Sequence, residues 1–145
     1  MESQTGTYVL VLKNGVERTI QIGRRGNVLL AAGYYLYVGS AFGPGGVRAR
    51  VSRHYRCKKK HHWHIDYITE VMDIDVTWYN HGPERLEHDW ARALAEMHNT
   101  AVVKAIGNSD CHCESHFFYC ADRPDCAFFY AAMGDEIELW QPQAS

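Results

Sequence analysis

The run Tyr34-Tyr35-Leu36-Tyr37-Val38-Gly39, then Ser40 to Gly46, then Val47-Arg48-Ala49-Arg50-Val51-Ser52-Arg53-His54 decides the fold. Its first six residues are aromatic, aliphatic and β-branched, which suits a pleated and largely buried strand. Gly43-Pro44-Gly45-Gly46 punctuates the chain as a loop and opens a helix at about Val47. In that helix Val47, Val51 and His54 or Tyr55 fall on one face, and the arginines project to its flanks. Arg50 and His54 stand four residues apart, so they share a face and lie one turn from each other.

Upstream, Tyr8-Val9-Leu10-Val11-Leu12 reads as a strand, and Asn14-Gly15 after it is a strong two-residue hairpin signal. Thr19-Ile20-Gln21-Ile22-Gly23 alternates and is expected to be the returning strand. Gly23 to Asn27 reads as a turn, Val28 to Ala32 is an apolar run, and Gly33 breaks it. Downstream, a second helix is expected from about His62 to Val71, and Ile74 to Tyr79 reads as a strand. Gly82-Pro83 then predicts a helix over 83–98, with proline in its first turn, Glu84 at the positive end of its dipole, and an apolar stripe of Leu86, Trp90, Leu94 and Met97. Phe117 to Cys120 reads as a short buried strand and Phe128 to Ala131 as a candidate further one. The expectation is one α+β domain over residues 1–145: a small mixed, mainly antiparallel sheet flanked by helices, with a Cys/His-containing C-terminal extension.

The chain's 145 residues, 46% apolar and 22% charged, suit one domain with a real core. No apolar run approaches the roughly 18 residues of a membrane span. Met1-Glu2-Ser3-Gln4-Thr5 lacks the basic and apolar regions of an export signal, so a cytoplasmic location is expected. Five cysteines without such a signal read as thiols or metal ligands before disulfides. The net charge of −2 conceals a strong segregation. Residues 18 to 65 carry ten basic and no acidic residues, and seven of the ten fall between Arg48 and Lys60. Residues 66 to 145 carry four basic and fifteen acidic ones. Such asymmetry is a sign of polyanion binding by one part of a chain, against the plainer reading of a solvated basic helix facing an acidic half of the same molecule.

Gly6-Thr7-Tyr8 and Tyr37-Val38-Gly39, followed by a glycine-containing loop and a helix with Arg50 and His54, resemble the paired signatures of the GIY-YIG nuclease superfamily. Leu86-Glu87-His88-Asp89 resembles the segment that supplies that family's metal-binding glutamate. The long insert between the signatures, the run Trp63-His64-Ile65-Asp66-Tyr67, and Ser109-Asp110-Cys111-His112-Cys113-Glu114-Ser115-His116 are similar to a small stand-alone Uri-like branch, a domain-of-unknown-function family. The resemblance implies a GIY-YIG-like fold and a metal-dependent endonuclease that hydrolyses DNA phosphodiester bonds with one Mg²⁺ or Mn²⁺. It implies that Glu87 holds the metal, with Glu84 and Asp89 as fallback ligands. Arg50 would meet the scissile phosphate with a guanidinium fork that lysine cannot copy. Tyr8 and Tyr37 would orient the attacking water, and His54 is the other candidate base or proton relay. A tyrosine serving as base needs its pKa lowered from near 10, which Arg50 or the metal would supply.

Arg48, Arg53, Lys58, Lys59, Lys60 and His64 are the candidate nucleic-acid contacts, holding the backbone in a salt-sensitive way with little sequence preference. The segment around His64 has two readings: it borders the active site with Lys60 and His64 on flanking phosphates, or Trp63 and Ile65 are core residues and His64 a cap. Cys111, Cys113 and His116 have three readings: ligands of a structural Zn²⁺, neighbours of the active site, or plain packing residues. The alternative to an enzyme is a non-catalytic nucleic-acid-binding module on the same scaffold, zinc-stabilised or not, and RNA is an alternative partner to DNA.

Overall fold

Eight of the nine residues in the first strand, β1 (Gly6–Asn14), are buried. Burial that continuous, without the alternation of a half-exposed strand, requires a layer on each face. The computed structural model describes residues 1 to 56, 59 to 103, 116 to 133 and 137 to 142. After β1 come β2 (Arg18–Ile22), a 3-10 turn (Gly23–Arg25), β3 (Gly26–Leu30), β4 (Gly33–Ala41), α1 (Gly46–His54), α2 (His64–Thr69) and β5 (Asp73–Tyr79). The chain continues through α3 (Glu87–Glu96), β6 (Ala101–Val102), β7 (Phe117–Cys120), α4 (Cys126–Met133) and β8 (Glu138–Trp140). Six strands form one sheet in the order β6-β7-β4-β1-β5-β8, and β2 and β3 form a small sheet of their own. Every pairing is antiparallel. The fold is α+β.

Side-chain alternation along β1 divides the core in two. On one face Tyr8, Leu10 and Leu12 lie with Tyr35 and Tyr37, covered by Val47 and Val51 of α1, Ile65 and Ile68 of α2, and Ile22 and Leu30 of the small sheet. On the other face Val9, Val11, Leu36, Val38 and Trp78 are covered by Trp90, Ala91 and Leu94 of α3 and by Phe129 of α4. No helix among the described residues is long and apolar enough to cross a membrane.

Four sequence expectations are corrected. β2 does not return against β1: both edges of β1 are taken, by β4 and β5, and β2 pairs with β3 instead. Asn14 is not an exposed turn residue but is buried, donating through Nδ2 to the carbonyls of Leu30 and Ala31 and accepting from Arg18 Nε at 2.9 Å. The insert between the two tyrosine signatures is therefore a separate hairpin laid over the sheet. The helix expected over 83–98 begins at Glu87. Residues before it run beside the N-terminal segment, with Asn80 N–H donating to Thr7 O and Gly82 N–H to Thr5 O, both at 3.0 Å, so Pro83 and Glu84 precede the helix. Residues 128 to 131 lie in a helix and not a strand. Asp125 Oδ1 accepts from Ala127 N–H in the manner of an N-cap, and Phe129 packs against Trp78 and Trp90 while Tyr130 is exposed, a helical pattern. The second helix is shorter than expected, covering His64–Thr69.

Candidate active site

The two glycine-tyrosine signatures meet at one end of the sheet because β1 and β4 are paired in antiparallel register, Tyr8 opposite Gly39 and Leu10 opposite Tyr37. Their glycines answer to packing. A Cβ on Gly39 would lie 2.4 Å from Cζ and Oη of Tyr8, whose ring crosses that position. A Cβ on Gly6 would lie 1.9 Å from the carbonyl oxygen of Asn80. Both sites need close approach that only glycine allows.

The glycine loop before α1 serves the turn and not an anion. Gly45 and Gly46 have φ of 84° and 59°. The first helical amides are already used: Gly46 N–H donates to Gly43 O, Val47 N–H to Gln4 O at 2.9 Å, and Arg48 N–H to Glu2 O at 3.1 Å. An anion at this end must therefore be met by side chains.

Helix α1 supplies them. His54, 2% exposed, places Nε2 at 2.6 Å from the Tyr8 hydroxyl. The ring of Tyr37 stands edge-on to His54 at 6.1 Å between centroids. Arg50, one turn earlier, donates through Nη1 to the Ser40 carbonyl at 3.2 Å. A cavity of about 190 Å³ opens beside it, walled by Ala41, Pro44, Ala49 and Arg53. A larger cavity, about 690 Å³, lies on the far side of the sheet between Met97, the residue after α3, and Met133 of α4.

Burial raises the Tyr8 phenol well above its ordinary value, with Tyr37 adding and Arg50 opposing. Burial likewise raises Tyr37, with Glu87 adding and Arg50 opposing. Arg50 thus acts in the direction expected of it, and burial outweighs it. His54 goes the other way: burial first, then the positive charges of Arg50, Arg53 and Lys59, lower it to about 3 against the pull of Asp66. At neutral pH the site holds two neutral phenols and a neutral imidazole, and the Tyr8 hydroxyl and His54 Nε2 share a hydrogen bond.

Glu87 opens α3 at the same end of the sheet and acts electrostatically on both tyrosines. The residues three, four and seven places on, Trp90, Ala91 and Leu94, are buried, as their spacing predicts, so the carboxylate is held at the rim with 20% of its side chain exposed. His116, almost wholly buried, brings Nδ1 to 3.7 Å from Glu87 Oε1, and its backbone carbonyl accepts from Val38 N–H beside Tyr37. His88 stands edge-on to it at 6.1 Å. Among the described residues no group of three His, Cys, Asp or Glu side chains is placed to enclose a metal ion. Cys111 and Cys113 lie outside the described residues.

The expected nucleic-acid contacts separate into two groups. Arg48 and Lys60 are exposed, as is Arg56, which is not among the expected contacts. Arg53 instead forms a fork on Asp66, Nη1 to Oδ1 at 2.8 Å and Nη2 to Oδ2 at 3.0 Å, and also donates to the Lys60 carbonyl. Lys59 donates to the carbonyls of His54 and Arg56, closing the C-terminal end of α1. Lys58 is outside the described residues, and His64 is half-buried at the first turn of α2.

Sequence reasoning missed the network under this surface. Asp66 is fully buried, and its Oδ2 accepts from the amides of His62 and Trp63 at 2.8 and 3.0 Å. Burial alone would raise its carboxyl, but the Arg53 fork and those two amides outweigh it and bring it to about 2. Trp63, not His64, is the cap residue of α2, and it is 39% exposed rather than part of the core, with the Arg50 and Arg53 guanidiniums over its ring at 4.6 and 4.5 Å. The aspartate three residues after Trp63 is the signal that could have found the cap.

Across residues 7–138 the chain matches the family model described as Domain of unknown function DUF123, and it belongs to that family. No curated protein and no solved structure matches it.

Proposed function

We propose that this protein is a metal-dependent endonuclease that hydrolyses DNA phosphodiester bonds. The observation that carries the reading is the convergence of Arg50, the Tyr8–His54 pair, Tyr37 and Glu87 at one end of the sheet. Phosphodiester cleavage needs a cationic fork for the phosphate, hydroxyls to orient water, a proton acceptor, and stabilisation of charge growing on oxygen. Arg50 is the fork. Tyr8 and Tyr37 would orient the water; as the water yields a proton to the Tyr8 oxygen, the Tyr8 proton passes to His54 Nε2. Burial is the larger cause of the neutral imidazole, and a phosphate on Arg50 would offset one of the positive charges that add to it, favouring that transfer.

Glu87 suits Mg²⁺ or Mn²⁺, hard cations that take one or two carboxylates and complete their shell with water and substrate phosphate. When bound, the cation supplies Lewis-acid stabilisation of the phosphate and leaving oxygens. Arg48, Arg56, Lys60 and His64 would contact flanking phosphates, in DNA or RNA.

One observation favours a second reading, a nucleic-acid-binding module without turnover: neither tyrosine nor His54 titrates near neutrality as the site stands. Branched, single-stranded and duplex DNA incubated with Mg²⁺ or Mn²⁺ separates the two. Cutting that disappears in Glu87→Ala and Arg50→Ala supports the enzyme; tight binding with no metal-dependent cutting supports the module.

A further inference from the structure

We infer that Trp63 is a stacking platform for an unpaired nucleobase, so that the site takes DNA whose base is unstacked beside the phosphate on Arg50. The inference rests on the nucleic-acid reading of the site and adds the class of substrate. Five large apolar side chains are exposed among the described residues: Val16, Leu29, Trp63, Tyr130 and Leu139. Only Trp63 lies against the site, with its ring 6.4 Å from that of His54. By contrast Trp78 and Trp90 are at most 1% exposed.

The indole is held in place from two sides. Its amide is fixed by buried Asp66, which Arg53 grips in turn, and Ile65 and Ile68 anchor the helix it caps. Arg50, Arg53 and His54 reach it from one turn of α1, and with those contacts in place the residue is still 39% exposed. A fixed aromatic plane beside a guanidinium is how single-stranded nucleic acid is gripped: the base lies on the ring and the phosphate on the cation. In a continuous duplex the base faces are stacked on each other, and a ring at this place meets only edges or backbone.

The test uses the full chain with EDTA, so that nothing is cut, and a short DNA carrying 2-aminopurine, a base whose fluorescence falls on stacking. Base stacking worth about 1–3 kcal/mol corresponds to roughly five- to 150-fold in affinity. The single strand is expected to bind about tenfold or more tighter than the matching duplex, with its fluorescence quenched. Trp63→Leu should lose the quench and the preference, and Trp63→Phe should keep both. Equal affinity of the wild type for the two forms, or a quench that survives in Trp63→Leu, would overturn the inference. So would an equal loss for single strand and duplex, the mark of a ring that only braces Arg50. Absence of cutting with Mg²⁺ or Mn²⁺ would remove the nuclease reading and leave this one standing; cutting of continuous duplex as fast as unpaired DNA would do the reverse.

Discussion

The Tyr8 hydroxyl lies 2.6 Å from Nε2 of His54, joining the first strand to the end of the first long helix across 46 positions of sequence. The contact is buried, and His54 Nδ1 has no hydrogen-bond partner among the described residues. A neutral imidazole tolerates this burial; an imidazolium does not.

Stability should therefore depend on pH through His54. The unfolded chain takes up this proton near pH 6.5, whereas the folded chain resists it down to about 3. The stabilisation is fully present above pH 6.5 and is lost as pH falls below it. Between pH 7 and 5 the loss attributable to this group is about 2 kcal/mol. Urea unfolding at the two pH values should show it, and His54→Gln should reduce the difference by about that amount. An unchanged difference in the variant would mean that His54 titrates alike in the folded and unfolded chains.

Asp66→Asn should destabilise the protein by about 3 kcal/mol at neutral pH, because it leaves the half-buried Arg53 charge without its counter-charge. Its folded pKa of about 2 is depressed, so the penalty should persist above the ordinary carboxylate range and shrink only as pH falls toward 2. Denaturant midpoints of the two proteins check this; a loss below about 1 kcal/mol would place the pair among ordinary surface bridges.

Gly39→Ala should displace the Tyr8 ring, since the added carbon would sit 2.4 Å from it. The expected cost is about 1–3 kcal/mol. Gly43→Ala, where nothing lies within 4 Å, should change stability by less than about 0.5 kcal/mol. Melting curves of both variants test the assignment of the second signature's glycine to close packing.

Elements whose pattern reflects their own burial were legible in the sequence. β1, β4, β5 and β7 read as strands from aromatic and β-branched content, and of the expected stripe Leu86, Trp90, Leu94 and Met97 the two inside α3, Trp90 and Leu94, are buried on its inner face. Partners were less legible. Asn14-Gly15 carries a local hairpin signal, but the edge that β2 would have used is filled by β4 and β5, which come from elsewhere in the chain. Phe129 reads as β-forming in isolation, yet it lies in α4, where its ring packs on Trp78 and Trp90. At the site, Arg50 and His54 could be paired from their spacing alone, whereas the opposition of Tyr8 to Gly39 needed the strand register. The division of the basic run into exposed Arg48 and Lys60 and internally bonded Arg53 and Lys59 depends on Asp66 and on the end of α1, which charge counting does not see.

The measurement that tests the central claim most directly is single-turnover cleavage of labelled DNA with Mg²⁺ or Mn²⁺ by the wild type, Arg50→Lys and Glu87→Gln. Each variant removes one element of the site with little change in shape: the guanidinium fork, or the carboxylate charge. The account predicts cutting by the wild type that EDTA abolishes, and a fall of about 100-fold or more in each variant. Cutting at an undiminished rate by either variant, or none by the wild type on any DNA structure, would contradict it.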